Sequence, residues 1–349
     1  MPSRISGILV DHNRRPVSKA TLFLKGKIVA KSETDGSFSV NLPKAESRVA
    51  VTFTAEGYVS NTRIYDSRTN GGNTVIIWPV AYRVKFDASR DLDIELDASR
   101  IQIPANALAR DGGKKVDQSV ELRFTLFDIT SPFQRAAAPG DFSAKLPDGK
   151  IQRLNSYGIF DLDLGDKKGQ VTLRDRAEIN LSIAVPPKLV ERSPKQVGFY
   201  DFDRLAGVWI PVGSFNFVPR TLTYNGTIKR SGLAHNLDNP QETTCITVQV
   251  INLYTGLGVG GFQVTAQGAQ YSSSGWTDPN GFVCLLVETN TTFTVTAQGV
   301  SGGMFMATPH PTNFTSPNFN SGTADCGDPI KCPFLGTVAV DYTTGQLTV

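Results

Sequence analysis

Serine hydrolase chemistry is the first reaction class that the sequence raises. Residues 299–303 match the GxSxG pattern, in which Ser301 would be the nucleophile. In serine hydrolases this pattern forms a strained turn between a strand and a helix, and the acid and the histidine of the catalytic triad follow later in the chain. Here Met304-Phe305-Met306 follows Ser301, and the only later histidine is His310, in a proline-flanked loop. We therefore predict no catalytic role for Ser301.

Metal and acid–base chemistry is equally weakly indicated. The histidines His12, His235 and His310 are far apart, and none has the HExxH spacing of a zinc peptidase. Carboxylates alternate in residues 91–97 and 161–166, which on strands could form a calcium-binding row. We interpret both rows as solvated strand faces, residues 201–203 as an exposed turn, and the lone histidines as solvated. The sequence predicts no enzyme, no metal and no cofactor.

Cysteine is confined to the C-terminal part of the chain. An even number in one region indicates two disulfides and an oxidising compartment. Metal ligation is the alternative, although no CxxC pair is present. Short loops would favour pairing the first two cysteines and the last two. The disulfide candidates, in chain order, are Cys245, Cys284, Cys326 and Cys332.

The net charge of +3 conceals an asymmetry between the two parts of the chain. Through Arg230 there are 34 Lys and Arg against 25 Asp and Glu, whereas from Ser231 onward Lys331 alone faces seven carboxylates. Modules of different origin joined together would explain this. Alternatively, opposite ends of two molecules attract each other and steer a head-to-tail contact. Nucleic-acid binding is not indicated, because no stretch combines dense Arg and Lys with aromatic residues.

Several features bear on location. No run approaches the about 20 apolar residues of a membrane-spanning helix. Residues 1–4 do not begin a signal peptide, because the first strand is expected almost at once. Four Asn-x-Ser/Thr sequons mildly support an extracellular setting and are glycosylation candidates. They are Asn180, Asn225, Asn290 and Asn313.

Alternation of apolar and polar residues dominates the chain and predicts antiparallel strands. Residues 48–53, 120–124, 159–164 and 179–183 all place apolar side chains on one face. Gly-rich turns separate these segments, and the one plausible helical turn is residues 105–109. We predict an all-β protein of three tandem antiparallel β-sandwich domains, Ig-like or transthyretin-like, at 1–80, 81–230 and 241–349.

Contact surfaces are predicted in the C-terminal part. Trp276 precedes a turn beside a run of serines, so its exposure is expected, whereas Trp78 and Trp209 follow apolar neighbours and should be buried. The irregular stretch 299–333 is rich in aromatic residues and methionine, as in loops that dock. The further contact candidates are Met304, Phe305, Phe314 and Phe319.

Two short patterns resemble a known module. Residues 5–60, with Pro16-Val17, Thr34-Asp35-Gly36 and Gly57-Tyr58, resemble the carboxypeptidase regulatory-like, transthyretin-like β-sandwich. Residues 245–297 resemble a second copy, with Thr277-Asp278 in its turn but without the Gly-Tyr step. Such modules act as spacers or scaffolds beside many partners.

The segment between the two copies has a different resemblance. Ile101-Gln102-Ile103-Pro104 and the later Tyr157-Gly158-Ile159-Phe160 resemble the central region of cartilage intermediate layer proteins and the ZU5-type sandwich. This resemblance implies an extracellular, matrix-like or cell-surface protein without enzymatic machinery.

The sequence thus favours a non-enzymatic extracellular structural protein, a matrix or surface-appendage component. It would associate with itself, as a filament subunit with head-to-tail contacts, or with other extracellular proteins. One alternative is an adhesin or glycan-binding module that uses Trp276 and the stretch 299–333. Another is an accessory region of a larger enzyme.

Overall fold

A computed structural model describes residues 3–43, 48–65, 72–110, 113–114, 116, 119–149, 151–240, 243–268, 272–301, 304–308, 312–316 and 332–341. Over these residues the chain is built almost entirely of strands, with one short α-helix and one 3-10 helix. The all-β class expected from the alternation is confirmed. No helix among the described residues is long and apolar enough to cross a membrane.

The N-terminal sandwich comprises seven strands in two sheets. One sheet has the order β4-β1-β7 and the other the order β3-β2-β5-β6. Alternate residues of the strands, such as Leu22, Val51 and Phe53, are buried between the sheets. The strands are β1 (Ser3–Val10), β2 (Thr21–Leu24), β3 (Lys27–Lys31), β4 (Ser37–Leu42), β5 (Val49–Thr54), β6 (Asn61–Tyr65) and β7 (Gly72–Ile76).

The C-terminal sandwich repeats this strand order. Its sheets run β25-β22-β29 and β24-β23-β26-β27, with β28 also paired to β26. In both sandwiches the first and last strands pair in parallel, which differs from the antiparallel pairing expected throughout. The strands are β22 (Thr243–Asn252), β23 (Gln263–Gln267), β24 (Ser272–Trp276), β25 (Phe282–Glu288), β26 (Thr292–Ser301), β27 (Met304–Ala307), β28 (Thr312–Thr315) and β29 (Phe334–Val340).

The two sandwiches share the same side-chain hydrogen bonds at one corresponding turn. The Ser32 hydroxyl accepts from the Ala20 amide at 2.9 Å and donates to the Val17 carbonyl at 2.7 Å. The Thr277 hydroxyl likewise accepts from the Phe262 amide at 2.9 Å and donates to the Val259 carbonyl at 2.8 Å. Ser32 and Thr277 therefore occupy equivalent positions.

Four residues after each hydroxyl, a glycine closes the turn. Gly36 and Gly281 have φ angles of +77° and +83°. A Cβ at Gly36 would lie 2.5 Å from the Leu9 carbonyl oxygen, and one at Gly281 would lie 2.3 Å from that of Val250. Only glycine fits such positions, which explains the Asp-Gly and Asn-Gly signals in the sequence.

The central sheet is formed by the residues that lie between the two sandwiches in the sequence. Ten strands follow the order β8-β12-β14-β21-β18-β19-β20-β17-β10-β9, and β13 and β15 join at the side of this path. The strands, with the helices between them, are β8 (Tyr82–Asp87), β9 (Leu92–Leu96), β10 (Ser99–Ile103), β11 (Leu108–Ala109), β12 (Ser119–Phe127), α1 (Pro132–Ala137), β13 (Ser143–Lys145), β14 (Ile151–Asp166), β15 (Gly169–Gln170), β16 (Thr172–Leu173), β17 (Ile179–Ala184), the 3-10 helix (Pro187–Arg192), β18 (Gln196–Asp203), β19 (Val208–Val218), β20 (Thr223–Ile228) and β21 (Leu233–Pro240).

This sheet curls until its two ends meet. Tyr82 on β8 donates its hydroxyl to the carboxylate of Asp97, just after β9, at 2.5 Å. The enclosed core contains Phe124, Phe160 and Trp209, each fully buried, as expected for Trp209. The middle of the chain is therefore one continuous sheet wrapped around its core.

Two local expectations are wrong. Residues 105–109, expected to be a helical turn, instead lead into strand β11. The α-helix forms at α1, where Ser131 is the N-cap, its hydroxyl accepts from the Gln134 amide, and a proline occupies the first turn. The stretch 299–333, expected to be irregular, contains the end of β26 and strands β27 and β28 among its described residues.

Candidate functional site

The junction between the N-terminal sandwich and the central sheet holds a network of charged residues. Arg48, just before β5, donates to Asp141 through Nη1 at 2.7 Å and through Nη2 at 3.1 Å. Arg153 on β14 lies 3.3 Å from the same carboxylate. Arg48 also donates to the Gly207 carbonyl at 3.1 Å, so one guanidinium joins the N-terminal sandwich to two loops of the central sheet.

The electrostatics of this network favour the ionised carboxylate. Burial alone would raise the pKa of Asp141, but the positive charges of Arg153 and Arg48 and the hydrogen bonds to Arg48 and Ser143 outweigh it. The pKa of Asp141 therefore lies well below its usual range. A carboxylate with little access to water between two guanidinium groups can hold elements together, because water competes weakly for Asp141 and Arg153, whose side chains are 13% and 12% exposed.

Close backbone approaches surround the network. The Gly140 amide donates to the Thr62 carbonyl of β6 at 2.7 Å. A Cβ at Gly207 would lie only 2.3 Å from Cδ1 of Ile64, and the residue has a φ of +67°. Glycine at position 207 thus lets the turn after β18 touch the outer face of the N-terminal sandwich.

Apolar packing continues across the same junction. Trp78, after β7, packs against the core of the central sheet and meets the ring of Phe133 on α1 edge-on, with centroids 6.0 Å apart. Trp78 is half-buried, and the core it joins lies outside its own sandwich. The N-terminal sandwich and the central sheet therefore share a hydrophobic boundary as well as charges.

The helix α1 also reaches the C-terminal sandwich. Arg135 is almost fully buried and donates to the Gly268 carbonyl at 3.2 Å. In the amide orientation that satisfies both groups, the side-chain oxygen of Gln267 accepts from the same guanidinium. Burial lowers the pKa of Arg135 to about 10. Nearby, Asn155 donates to the Glu288 carboxylate at 3.0 Å.

Trp276 does not have the exposed position expected from the sequence. It is half-buried and packs against the hydrophobic core of the N-terminal sandwich. The serine run before it forms strand β24, which turns the indole toward the neighbouring unit. Trp276 is thus a contact residue, but the contact that the structure shows is internal.

The pairing of cysteines suggested by short loops is wrong. Cys245 is bonded to Cys332, 87 residues later, and Cys284 is also disulfide-bonded, while Cys326 lies outside the described residues. The parallel pairing of β29 with β22 brings Cys332 beside Cys245, which overrides loop length. The Sγ atoms of Cys284 and Cys332 are 3.3 Å apart.

The remaining contact and glycosylation candidates are spread over the C-terminal sandwich and the central sheet. Met304 and Phe305 lie on β27, and Phe314 on β28 stacks on Phe293 with centroids 6.2 Å apart. Phe319 lies outside the described residues. Of the sequon residues, Asn225 is half-buried on β20, and the exposed ones are Asn180, Asn290 and Asn313.

The GxSxG match has the wrong surroundings for a nucleophile. Ser301 ends β26 and pairs with Met304 at the start of β27, so a strand occupies the position where a hydrolase needs a helix. His310 lies outside the described residues.

Sequence reasoning missed a group of buried polar residues in the central sheet. Asp201, expected in an exposed turn, lies on β18 and is bonded to His235 of β21 at 2.8 Å. His235, expected to be solvated, is fully buried and packs against the rings of Phe160 and Phe199. Both faces of these inner strands are covered, which a single strand's alternation does not reveal.

The carboxylate rows differ from one another. Residues 91–97 hold an exposed row on β9, where Asp93 accepts from Arg100 at 2.7 Å. Residues 161–166 are not a solvated face, because Asp161 on β14 is buried and Asp166 is paired with Arg110. Burial raises the pKa of Asp161 to about 7.

No family model matches the chain. The chain is 24% identical over 177 residues to cartilage intermediate layer protein 2 of Homo sapiens and 20% identical over 266 residues to cartilage intermediate layer protein 1 of Mus musculus. These matches cover 45% and 68% of this chain but 15% and 22% of the relatives. The chain thus spans less than a quarter of their length. The resemblance to cartilage intermediate layer proteins, which the sequence of the central segment suggested, is therefore supported at low identity.

Among solved structures, the chain is similar to bacterial pilins. The major pilin subunit BcpA of Bacillus cereus is 10% identical, with a TM-score of 0.20, over 98% of this chain and 100% of that one. The major pilin SpaD of Corynebacterium diphtheriae is 8% identical, with a TM-score of 0.20, over 98% of each chain. TM-scores this low carry no argument about function.

Proposed function

We propose that this chain is a non-enzymatic extracellular structural protein, a component of a matrix or of a surface appendage. Segments 1–80, 81–230 and 241–349 would be three domains that act as one rigid unit. The observation that best supports this role is the ion network at Asp141, which joins the first two segments through partly buried charges.

The three domains would be held rigidly because separating them would break contacts between partly or fully buried side chains. Domains in one chain move relative to each other unless their interface is large or strongly held. Here, opening the junction would separate Arg48 from the half-buried Asp141 carboxylate, expose more of Trp276, and remove the partners of the buried Arg135. Each of these changes costs free energy.

The chemical inventory supports a role without catalysis. Ser301 ends strand β26, where it pairs with Met304 of β27, and His235 is bonded to Asp201 inside a hydrophobic core that substrate cannot enter. The disulfide between Cys245 and Cys332 fits an oxidising, extracellular compartment.

Self-association is the finer part of the proposal. The basic N-terminal and central segments and the acidic C-terminal segment would attract each other between copies, giving head-to-tail contacts. Such an attraction weakens as salt shortens the range of electrostatic forces.

Electron microscopy tests self-association, and small-angle X-ray scattering tests the rigid arrangement of the three domains. We expect filaments or short linear oligomers of the oxidised protein at low salt, and fewer of them as salt rises. We expect the scattering of the monomer at high salt to match one fixed arrangement of the three domains. Domains moving independently in the scattering data would contradict the rigid unit. Monomers at every salt and protein concentration would contradict self-association.

The glycan-binding alternative rested on Trp276 and on the stretch 299–333. Trp276 is half-buried against the N-terminal core, so only part of its surface is open to a sugar, which disfavours this alternative.

A further inference from the structure

Two exposed apolar surfaces lie on the described part of the chain, one in a basic region and one in an acidic region. One is a cleft at the border of the N-terminal sandwich and the central sheet, and the other is a projecting loop of the C-terminal sandwich. We propose that the loop of one copy docks in the cleft of a second copy, an interface that rests on the self-association proposed above.

The cleft lies where the outer face of β2 and β5 meets the turn after β18. Its volume is about 220 Å³, and Phe23 and Leu205 are among its lining residues. Ile28 is the cross-strand partner of Phe23 on β3 and is 63% exposed, while Leu205 is 65% exposed. The cleft and its rim therefore present an apolar surface to solvent.

The charge around the cleft is positive. Lys25 and Arg204 belong to its lining. Residues 17–32, which contain the whole β2–β3 hairpin, include four lysines and no carboxylate. A partner that enters the cleft would therefore be apolar at its centre and bordered by negative charge.

The loop between β22 and β23 is apolar and belongs to the acidic C-terminal part of the chain. Leu253, Tyr254 and Leu257 are 48%, 64% and 69% exposed. Residues 243–277 contain no charged residue, so the loop brings no cation to the cleft. From Ser231 onward the chain has seven carboxylates against Lys331 alone, and one of them, the buried Asp341, accepts from the Tyr254 hydroxyl at 2.8 Å.

The loop is held in shape before it binds. The side-chain oxygen of Asn252 accepts from the amides of Tyr254 at 2.9 Å and Thr255 at 3.1 Å, and the Gly256 amide donates to the Asn252 carbonyl at 2.9 Å. A preformed loop loses little conformational entropy on docking.

A second copy of the chain is the occupant that the charges favour. Within one copy the cleft is lined by none of the loop residues, and the loop's apolar side chains remain exposed. Each copy thus offers one cleft and one loop. A contact between two different surfaces leaves one of each unused at the ends, so it propagates into a linear chain or a closed ring.

Sedimentation velocity of the oxidised protein at low salt tests this interface with two variants. Leu257→Lys places a positive charge on the loop, where it would face Lys25 and Arg204 of the cleft, and Leu205→Asp places a charged group at the apolar rim of the cleft. We expect each to weaken self-association at least about tenfold. The matched control, Val212→Asp, changes an exposed apolar residue on β19 outside both surfaces and should associate like the wild type.

Mixing the two variants gives the sharper test. The Leu257→Lys chain keeps its cleft and the Leu205→Asp chain keeps its loop, so an equimolar mixture should form dimers and no larger species. The interface is refuted if either variant associates like the wild type, or if the mixture stays monomeric.

The same sedimentation data distinguish the loop–cleft interface from self-association in general and from the rigid arrangement of domains. Wild-type filaments that persist in both variants would overturn this interface and leave self-association standing. A wild-type protein that is monomeric at all concentrations would overturn both, while the rigid arrangement of domains would still be judged by scattering.

Discussion

The guanidinium of Arg48 forms a two-pronged ion pair with the carboxylate of Asp141, with N···O distances of 2.7 Å and 3.1 Å. The two residues are 93 positions apart and belong to different units of the fold. An exposed pair of the same kind, Arg100 with Asp93, lies on β9 and β10 of the central sheet. The two pairs differ mainly in burial, so they can be compared directly.

Asp141→Asn should lower the free energy of unfolding by about 3 to 5 kcal/mol, because it leaves Arg153 and Arg48 beside each other without a counter-charge. Arg100→Gln, which breaks the exposed pair, should cost no more than about 1 kcal/mol. Urea denaturation of both variants measures the difference. Equal losses would show that the Asp141 network is no stronger than a surface ion pair.

Asp161→Asn should change how stability depends on pH. Burial raises the pKa of Asp161 to about 7, whereas an unfolded aspartate titrates near 3.9. Between these values the folded state keeps a proton that the unfolded state releases. Stability contributed by Asp161 is therefore complete below about pH 4 and is lost as pH rises toward 7, by up to about 4 kcal/mol.

Urea midpoints measured from pH 4.5 to pH 7.5 check this effect. An amide in place of the carboxyl cannot ionise, so the Asp161→Asn variant should lack that part of the slope, while Glu95→Gln, on the exposed row of β9, should keep it. An unchanged slope in Asp161→Asn would show that the carboxyl is not the titrating group.

Peptide mapping without reduction should recover Cys245 linked to Cys332. Replacing both with serine should destabilise the protein by about 4 kcal/mol, because the bond closes a loop of 87 residues. Recovery of a peptide linking Cys245 to Cys284 would refute the pairing seen here.

Ser32→Ala and Thr277→Val should have matching effects, since each removes a hydroxyl that bonds two backbone groups at the same place in its sandwich. We expect each to cost about 1 to 3 kcal/mol and the double variant to show the sum. Thr34→Val, at an exposed position of the same N-terminal turn, is the control and should be close to neutral. A loss in only one sandwich would argue against equivalent roles.

Local patterns gave reliable information about strands and turns. The alternation in residues 48–53, 120–124, 159–164 and 179–183 lies on β5, β12, β14 and β17. The glycines of the two repeated turns were found because a positive φ restricts the residue type. Helix α1 was missed although Ser131 and Pro132 carry a cap signal, because six residues are too few for helical periodicity.

Long-range features could not be predicted in the same way. The partner of Cys245 depends on β29 returning beside β22, and the burial of Asp161 and His235 depends on how a twelve-stranded sheet closes. The Asp141 network joins residues whose approach is set by the contact of separate units. None of these leaves a periodic signal in the neighbouring residues.

The parallel pairing of first and last strands in each sandwich has a mechanical consequence. Ser6–Val10 runs alongside Gly72–Ile76 in the same direction, so a pull transmitted along the chain drags the two strands past each other in shear. All the bonds of the ladder then resist together, whereas an unzipping hairpin breaks them one at a time. In the C-terminal sandwich the Cys245–Cys332 bond ties the corresponding strands, so traction there would bear on a covalent tether before those strands could slide apart.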